Sequence, residues 1–512
     1  MKLPPLQPET TRSRQMIVEF GGINYGQEPR DGELVDSIGL TSSKYPYLAQ
    51  RMGRGNERTY DNPSALHASK QALCVVEGTS FIYNGELVQG SVLTPGEKTM
   101  VSIGQRVIIF PDKKFYDFST GVFGNLEEKY TSGTGQITFT ANTLSTTGPD
   151  FKFRAGDAVE ISGCTAKPEN NKTIIIRSVA PKVLTFYQES FAAAVEPGVV
   201  RIERNIPALT NLCEANNRLW GTVGQEIRGS ALGDPFNWNK YDGLSTDSYA
   251  VVVGTPGDFT GCALYANQIC FFKEDCIHKL FGTRPANFEV TTVSVPGVQA
   301  NCARSIAIIN EIMLYKSRTG VYAYNGGIPQ LISNSFGTRR FFDARAVTDG
   351  TKYYISMRDD REVWYLFAYD PTNGIWLKEE NAHVLDFGEL SGTVYYIQEG
   401  DGVVRSMDIT TSEERVEWLA ELAPFTEVIH ERKGYSKISA RIDLDAGTYL
   451  HIEVKTDSSP WETVYTVHRD EPGTVNVPIK PNRCDSFSVR FRGRGGFLIK
   501  SMLREFTIGS EV

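Results

Sequence analysis

The stretch CALYANQICFFKEDCIHKLFG, residues 262–282, shows the pattern that decides the fold. An apolar strand ends in a polar turn, a second strand carries the apolar run QICFF, and a third strand follows after another turn. Aromatic and β-branched residues set between Gly, Asn and Asp turns favour strands over helices. Because short apolar segments separated by polar turns make up almost the whole chain, we predict an all-β protein.

The same plan recurs in six further groups, at a period of roughly 35–45 residues, which is typical of a β-propeller. These groups begin at ALCVV (72–76), TMVSI (99–103), EANNRL (214–219), SIAII (305–309), YYISM (353–357) and HVLDF (383–387). One small sheet cannot bury both of its faces, whereas radially stacked sheets cover one another. We therefore predict a propeller of about seven blades over residues 61–129 and 206–412, with a set of β-sandwiches as the alternative.

Three segments lie outside this period. Residues 130–205 contain five or six short strands and are predicted to form a small β-barrel inserted in a blade loop, where insertions are tolerated. Residues 1–60 are rich in Pro and Gly and are predicted to be an extended N-terminal arm. Residues 413–512 are predicted to hold a linker strand and a C-terminal β-sandwich, because six strands there each have one apolar face.

The net charge and the lack of targeting or membrane-spanning segments limit the classes of function that the sequence supports. The 512 residues carry a net charge of −8, and a protein whose main ligand is nucleic acid usually shows a basic face instead. Arg490, Arg492 and Arg494 alternate along one strand, which indicates a solvated strand face rather than a phosphate track. We find neither a signal peptide nor an apolar run long enough to span a bilayer. The sequence therefore predicts a protein made in a cytoplasm without a membrane span.

Catalytic and metal-binding signatures are missing from the sequence. It has no phosphate-binding loop, dinucleotide fingerprint, zinc-protease motif or nucleophile elbow, and its eight Cys form no CxxC pair. The adjacent carboxylates Glu127-Glu128, Asp359-Asp360 and Glu379-Glu380 lie in turns or would point to opposite faces of a strand. We predict no enzyme activity, no cofactor and no metal. A propeller glycoside hydrolase, with acids from different blades, remains an alternative.

Sugar binding is a third hypothesis. Tyr449, Trp461 and Tyr465 lie within the predicted C-terminal sandwich and could present an aromatic platform to a glycan. The competing interpretation is that Trp461 covers an edge of the hydrophobic core.

Three stretches of the sequence are similar to one family of viral proteins. They are residues 20–55, residues 216–253, and residues 433–470 taken with 497–512. The middle stretch is the most specific, and its run R-x-W-G … S-x-x-G-D-P comprises Arg218, Trp220, Ser230, Gly233, Asp234 and Pro235. Together the stretches resemble the propeller-containing tail proteins of tailed bacteriophages and prophages that are called nozzle, hub or tail-stabilisation proteins.

This resemblance implies a structural role in the virion. The chain would be made in the bacterial host cytoplasm and would form a ring-shaped homo-oligomer, a hexamer, in the phage tail as a nozzle, hub or neck-proximal ring. It would contact other tail proteins, touch passing DNA transiently, and serve virion assembly and genome passage. A tail-tip receptor-binding or carbohydrate-binding adhesin is the alternative.

Overall fold

Short antiparallel strands make up nearly all of the regular structure, so the prediction of an all-β protein is confirmed. The structure is a computed structural model, and it describes residues 11–69, 71–133, 135–187, 190–407, 415–427, 430–467, 473–480 and 482–508. It divides into a central unit, Asp61–Ala303, and a terminal unit, Met1–Tyr60 with Arg304–Val512. Helical turns within the described ranges are four short 3₁₀ turns: Pro168–Asn170, Pro285–Asn287, Ala303–Ser305 and Asn334–Phe336.

The first strands of the chain belong to the terminal unit. They are β1 (Thr11–Ile17), β2 (Leu34–Ile38), β3 (Leu40–Thr41), β4 (Leu48–Gln50) and β5 (Gly55–Thr59).

Two four-stranded sheets open the central unit. Sheet 1 comprises β6 (Pro63–Ala68), β7 (Leu73–Glu77), β8 (Ser80–Tyr83) and β9 (Glu86–Leu87). Sheet 2 comprises β10 (Thr99–Ile103), β11 (Arg106–Phe110), β12 (Lys114–Asp117) and β13 (Val122–Asn125).

An eight-stranded sheet follows, in place of the five or six strands expected between residues 130 and 205. Its strands are β14 (Glu128–Thr131), β15 (Ile137–Phe139), β16 (Thr143–Thr146), β17 (Ala158–Ser162), β18 (Lys172–Ala180), β19 (Val183–Phe186), β20 (Ala194–Glu196) and β21 (Arg201–Arg204). They pair in the order β14-β21-β17-β18-β19-β16-β15-β20. The long strand β18 joins the two halves, because its first residues pair with β17 and its last with β19.

Two more four-stranded sheets complete the central unit. Sheet 3 comprises β22 (Thr210–Ala215), β23 (Arg218–Val223), β24 (Glu226–Gly229) and β25 (Tyr249–Val252). Sheet 4 comprises β26 (Gly261–Tyr265), β27 (Gln268–Phe272), β28 (Ile277–Phe281) and β29 (Glu289–Val293).

The terminal unit resumes with three sheets of the same size. Sheet 5 comprises β30 (Ala307–Ile309), β31 (Ile312–Ser317), β32 (Gly320–Tyr324) and β33 (Gln330–Leu331). Sheet 6 comprises β34 (Phe341–Thr348), β35 (Tyr353–Asp359), β36 (Trp364–Asp370) and β37 (Ile375–Glu380). Sheet 7 comprises β38 (Val384–Leu390), β39 (Thr393–Gln398) and β40 (Val403–Ser406), and its fourth strand is β5 from the N-terminal segment.

Two larger sheets end the chain. Their own strands are β41 (Glu417–Leu422), β42 (Lys433–Leu444), β43 (Tyr449–Thr456), β44 (Glu462–Val467), β45 (Gly473–Pro478), β46 (Arg483–Cys484), β47 (Phe487–Arg494) and β48 (Phe497–Ile508). The five-stranded terminal sheet has the order β2-β41-β47-β43-β44. The seven-stranded terminal sheet has the order β3-β4-β48-β42-β45, with β1 paired to β48 and β46 paired to β42.

The repeated sequence plan marks the interior strands of the small sheets. QICFF is β27, the second strand of sheet 4, and its last four side chains are buried. In a four-stranded sheet the second and third strands have neighbours on both sides, so they hold most of the apolar contacts. Within the central unit, continuous hydrophobic clusters join sheet 1 to sheet 2, sheet 2 to sheet 3 and sheet 3 to sheet 4. A further cluster joins sheets 6 and 7 in the terminal unit.

Tight hairpins between the first two strands recur in sheets 3, 4 and 5. Two consecutive residues have positive φ at Asn216-Asn217, at Ala266-Asn267 and at Asn310-Glu311. Two positive φ angles define the type I′ turn, whose twist matches that of the flanking strands. Asn tolerates this conformation better than most residues with a side chain. The polar turns read from the sequence are therefore two-residue hairpin turns.

Residues 11–60 differ from the predicted extended arm. Four of their five strands pair with a strand from elsewhere in the terminal unit: β1 and β4 with β48, β2 with β41 and β5 with β40. The fifth, β3, pairs with β4 and extends the same sheet. Strands this short, separated by Gly and Pro, carry no local periodicity, and their partners lie hundreds of residues away. Residues 1–10, and the predicted domain boundary at residues 412–413, lie outside the described residues.

Buried ion pairs fasten this N-terminal segment to sheet 6. Arg54 pairs with Glu379 and Glu380 of β37, and Arg51 Nη2 lies 2.9 Å from Glu380 Oε1. Arg54 and Glu379 are both almost completely shielded from solvent. A charge buried in this way is tolerated only while its partner is present.

We expect Arg54→Met to lower the free energy of unfolding of the terminal unit by about 3–5 kcal/mol, because it leaves the Glu379 carboxylate buried and uncompensated. Urea denaturation followed by tryptophan fluorescence measures the loss. The double variant Arg54→Met/Glu379→Met should regain most of it. Arg12→Ala is the matched control, with an expected loss of about 0–1 kcal/mol, because Arg12 is exposed and Glu505 keeps its pair with Arg14. An Arg54→Met protein as stable as the control variant would contradict this assignment.

Candidate functional site

The six residues of the R-x-W-G … S-x-x-G-D-P run lie together in sheet 3 and in the loop that follows β24. Arg218 and Trp220 are on β23, Ser230 comes directly after β24, and Gly233, Asp234 and Pro235 form the next turn. The Arg218 side chain is 1% exposed. Its Nη1 donates to Ser230 O at 2.7 Å and also to Asp247 O, and its Nη2 donates to Ser245 O at 2.8 Å. Arg218 thus fixes the course of the loop.

Trp220 and Ser230 form hydrogen bonds with buried backbone groups of the neighbouring strands. Trp220 Nε1 donates to Ala215 O at 3.1 Å, and its ring packs against Phe271 of sheet 4. Ser230 Oγ accepts from Leu219 N at 3.0 Å. A Cβ at Gly229 would lie 2.7 Å from the Trp220 ring, so the position opposite the tryptophan requires glycine.

The Gly-Asp-Pro turn is closed by its own side chains. Gly233 has φ +71°, and its N–H donates to Asn217 O at 2.7 Å. Asp234 Oδ1 accepts from Phe236 N at 3.0 Å and Asp234 Oδ2 from Asn237 Nδ2 at 2.6 Å. Pro235 O accepts from Trp238 Nε1 at 2.8 Å. The turn therefore directs Phe236, Asn237 and Trp238 into the protein.

These three residues hold the eight-stranded sheet in place. Asn237 Oδ1 accepts from Ala158 N at 2.8 Å, at the first residue of β17. The Arg154 guanidinium lies 3.7 Å from the centre of the Phe236 ring, a cation–π contact. Trp238 is buried in the cluster that also contains Leu126 and Ile206, which flank the inserted segment in sequence. We call residues 230–238 the anchor loop.

A buried ion pair completes the junction from the other side. Arg204, the last residue of β21, pairs with Asp157. Its Nε and Nη2 donate to Leu126 O at 3.1 and 3.0 Å. Burial lowers the pKa of Arg204 despite the opposing effect of Asp157, yet arginine remains charged at any physiological pH. Sequence reasoning found the six motif residues but missed Asn237, Asp157 and Arg204, although the motif continues directly into Phe236-Asn237-Trp238.

The three proposed glycan-contacting residues do not form one platform. Tyr449 lies on β43 opposite Arg494, and its ring centre is 5.4 Å from that of His451. Tyr465 lies opposite Ile452, three residues further along β43, and therefore on the other face of the sheet. Trp461 is covered by Arg490, whose guanidinium carbon is 4.4 Å from the ring centre. Tyr449 lines a shallow pocket of about 280 Å³ beside Trp418 and Arg492, and neither Trp461 nor Tyr465 lines that pocket.

Two of the three arginines in the basic row on β47 share one carboxylate. Arg490 pairs with Glu453, and Arg492 Nε lies 2.8 Å from Glu453 Oε1. Burial alone would raise the pKa of Glu453, but the hydrogen bonds from Arg490 and Arg492 outweigh it and hold the pKa below its usual value. The carboxylate therefore stays ionised and is shared by these two arginines, whose combined positive charge it offsets in part.

Each pair of adjacent carboxylates has at least one member that is held by a structural partner. Glu379 and Glu380 pair with Arg54. Asp359 Oδ1 accepts the N–H groups of Arg361 and Val363 in a turn, both at 2.9 Å. Glu127 Oε1 lies 2.6 Å from Lys113 Nζ. Across the described ranges, no three His, Cys, Asp or Glu side chains converge as metal ligands would.

No protein-family model and no curated protein matches the chain. Among solved structures it is similar to Raptor from Chaetomium thermophilum at 11% identity and a TM-score of 0.33, over 72% of this chain but only 29% of that one. The N-terminal domain of Nup159 matches at 8% identity and a TM-score of 0.32, over 76% of this chain and 99% of the domain. PorZ of Porphyromonas gingivalis, a bacterial surface component of the type-IX secretion system, matches at 12% identity and a TM-score of 0.28, over 87% of this chain and 77% of PorZ. These values assign no family.

In the part of the chain that the structure describes, none of the helices has the length and apolar character needed to cross a bilayer.

We expect Arg218→Ala to lower the free energy of unfolding of the central unit by about 3 kcal/mol, because two buried carbonyl oxygens and one partly buried carbonyl oxygen lose their donor. Urea denaturation gives the value, and Arg218→Lys should recover only part of it because lysine lacks the forked donor geometry. Arg228→Ala on the neighbouring strand, which removes a partly exposed pair with Glu226, is the control. Equal stability of Arg218→Ala and this control would show that Arg218 does not fix the course of the loop.

Asn237→Ala should loosen the eight-stranded sheet at its junction without unfolding it. Hydrogen exchange at the Ala158 amide should accelerate about tenfold, because the hydrogen bond that protects the amide is lost. Asn205→Ala, which removes only long side-chain contacts to Glu160 and Glu203 in the same sheet, should leave that amide unchanged. Unaltered protection of Ala158 in Asn237→Ala would show that the anchor loop does not hold the sheet.

Proposed function

We propose that the chain is a structural component of a bacteriophage tail, a nozzle, hub or neck-proximal ring that serves virion assembly and genome passage. The observation that carries this proposal is the placement of the run by which the chain resembles tail proteins. Arg218, Trp220 and Ser230 are fully buried. The run supplies the first part of the anchor loop and, in Arg218, the side chain that holds the loop through its carbonyl oxygens. A run that contacted substrate would turn side chains to solvent, whereas this one serves to hold an inserted module rigidly.

The proposed architecture is a seven-bladed propeller with two appended modules. Sheets 1 to 7 would be the blades. The support is their equal strand number and the position of β5, which completes sheet 7 and ends four residues before β6 opens sheet 1. A blade that combines strands from both ends of the chain is a usual way to close a propeller ring.

The eight-stranded sheet would be the inserted barrel, because residues from both of its halves share one hydrophobic cluster. The two terminal sheets would be the sandwich. The rings of Tyr435 and Phe487 stack across them at 4.1 Å, and those of Trp418 and Phe497 at 3.7 Å.

Ring assembly would use the sheet edges of the terminal unit. Strand β44 stands at the end of the five-stranded terminal sheet, and β45 at one end of the seven-stranded one. An edge strand offers backbone donors and acceptors to a further strand from another chain. Head-to-tail contacts of this kind close into a ring when the rotation between neighbours divides a full turn. We propose a hexamer that binds other tail proteins and touches DNA only in passing.

Mass measurement of the purified chain tests this proposal. Light scattering coupled to size exclusion should detect a species six times the mass of one chain, and electron micrographs should show rings. Val464→Pro on β44 should shift the distribution to monomers without unfolding the protein, because proline removes a backbone donor from an edge strand. Thr463→Val on the same strand is the control, as it keeps the backbone intact. A chain that stays monomeric at high micromolar concentration and cleaves a glycan would refute the structural role in favour of an enzyme.

A further inference from the structure

A cleft of about 600 Å³ lies beside the anchor loop in the central unit. One wall is the start of β18, Thr173 to Ile175, together with Tyr187 and Ser190, which follow β19. The other wall is the loop of residues 239–244, directly after Trp238. Its volume falls within the roughly 300–1,000 Å³ that is usual for small-ligand sites.

The loop wall is built before any ligand arrives. The buried Asp247 carboxylate accepts the N–H groups of Asp242 at 2.6 Å and Leu244 at 2.9 Å. The Tyr241 hydroxyl donates to Trp238 O at 3.2 Å, which fixes the ring at the mouth of the cleft. The loop of residues 239–244 is therefore hydrogen-bonded to the anchor loop. Binding of a ligand would not have to include the entropic cost of ordering it.

The opposite wall of the cleft is also joined to the anchor loop by hydrogen bonds. Gly156 N donates to Ile176 O at 2.7 Å, and the next residues, Asp157 and Ala158, bond to Asn237. The hydrogen bonds that anchor the eight-stranded sheet thus also set the width of the cleft.

Two tyrosines face solvent at this cleft. Tyr187 is 64% exposed on the sheet wall and Tyr241 is 55% exposed on the loop wall. Leu244, also exposed, extends the apolar surface. None of the hydrophobic clusters of the described residues includes these side chains. Clustered exposed apolar surface around a concavity is typical of a binding site rather than of a fold requirement.

The remaining lining indicates the chemistry of the ligand. Thr173 and Ser190 contribute hydroxyl groups and Asn239 an amide, while the charges of Lys240 and Asp242 cancel. An uncharged ligand that carries hydroxyl groups around apolar C–H faces matches this combination. Such a ligand is a saccharide, whose C–H faces pack on aromatic rings while its hydroxyls bond to amide and hydroxyl side chains.

We propose that this cleft binds a neutral oligosaccharide, with sugar rings packed on Tyr187 and Tyr241. The site differs from the Tyr449, Trp461 and Tyr465 set suggested by the sequence, which the fold separates. The inference does not depend on the tail assignment, since a chain that forms no ring could still bind sugar here.

Titration calorimetry of the full chain tests the proposal, with maltotriose, cellotriose and triacetylchitotriose as probes after a glycan-array screen. At least one neutral glycan should bind, and Tyr187→Ala and Tyr241→Ala should each weaken binding at least tenfold, which corresponds to about 1.4 kcal/mol. Tyr241→Phe should retain most of the affinity, because it keeps the aromatic face. Tyr465→Ala removes another exposed tyrosine, which does not line the cleft, and should change nothing.

Circular dichroism and exchange at the Ala158 amide would establish that each variant keeps its fold. No binding of any neutral glycan at millimolar concentration would overturn the proposal. So would glycan binding that both alanine variants retain, binding restricted to anionic glycans, or binding of a peptide library in place of glycans.

Discussion

The terminal unit depends on the backbone pairing of residues 11–59 with strands β40, β41 and β48, which lie near the other end of the chain. Strand β1 runs antiparallel to β48 from Thr11 opposite Ile508 to Ile17 opposite Met502. Backbone N–H and C=O groups that leave water must find partners, and here they find them at the far end of the chain. Sheet 7 and both terminal sheets are complete only when the first sixty residues are in place. Contacts so distant in sequence make folding slow, because the entropy of closing a long loop precedes the gain.

Buried charges then select one arrangement of these strands. Arg504 Nε lies 2.6 Å from Glu427 Oε1, and Arg504 Nη2 lies 2.5 Å from Asp31 Oδ2. Arg54 with Glu379 in the terminal unit, and Arg204 with Asp157 in the central unit, act in the same way. Such pairs add little net stability relative to apolar side chains, but a shifted register would leave a buried charge unpaired. They therefore penalise wrong pairing in a protein made of many similar strands.

The local part of this structure could be predicted from the sequence, and the non-local part could not. QICFF identifies an interior strand because its side chains are apolar on both faces, and Asn-rich pairs identify the hairpin turns. The alternation of Trp418, Ala420 and Leu422 likewise identifies β41. Short strands such as β3 and β4 have no period to detect, so the pairing of residues 11–60 was missed. The six motif residues were singled out by resemblance, yet the loop they form acts through Asn237 and Trp238, whose partners Ala158 and Leu126 lie far away in sequence.

The anchor loop links the two functional proposals, because it fixes the eight-stranded sheet and also sets the walls of the Tyr187–Tyr241 cleft. A rigidly held module is what the proposed role in a tail ring would require. The most direct test of that account is an electron-microscopy reconstruction of the phage particle with this chain labelled at one terminus. The account predicts six labels in a ring centred on the tail axis. Labels at the tips of peripheral fibres, or none on the particle, would contradict it.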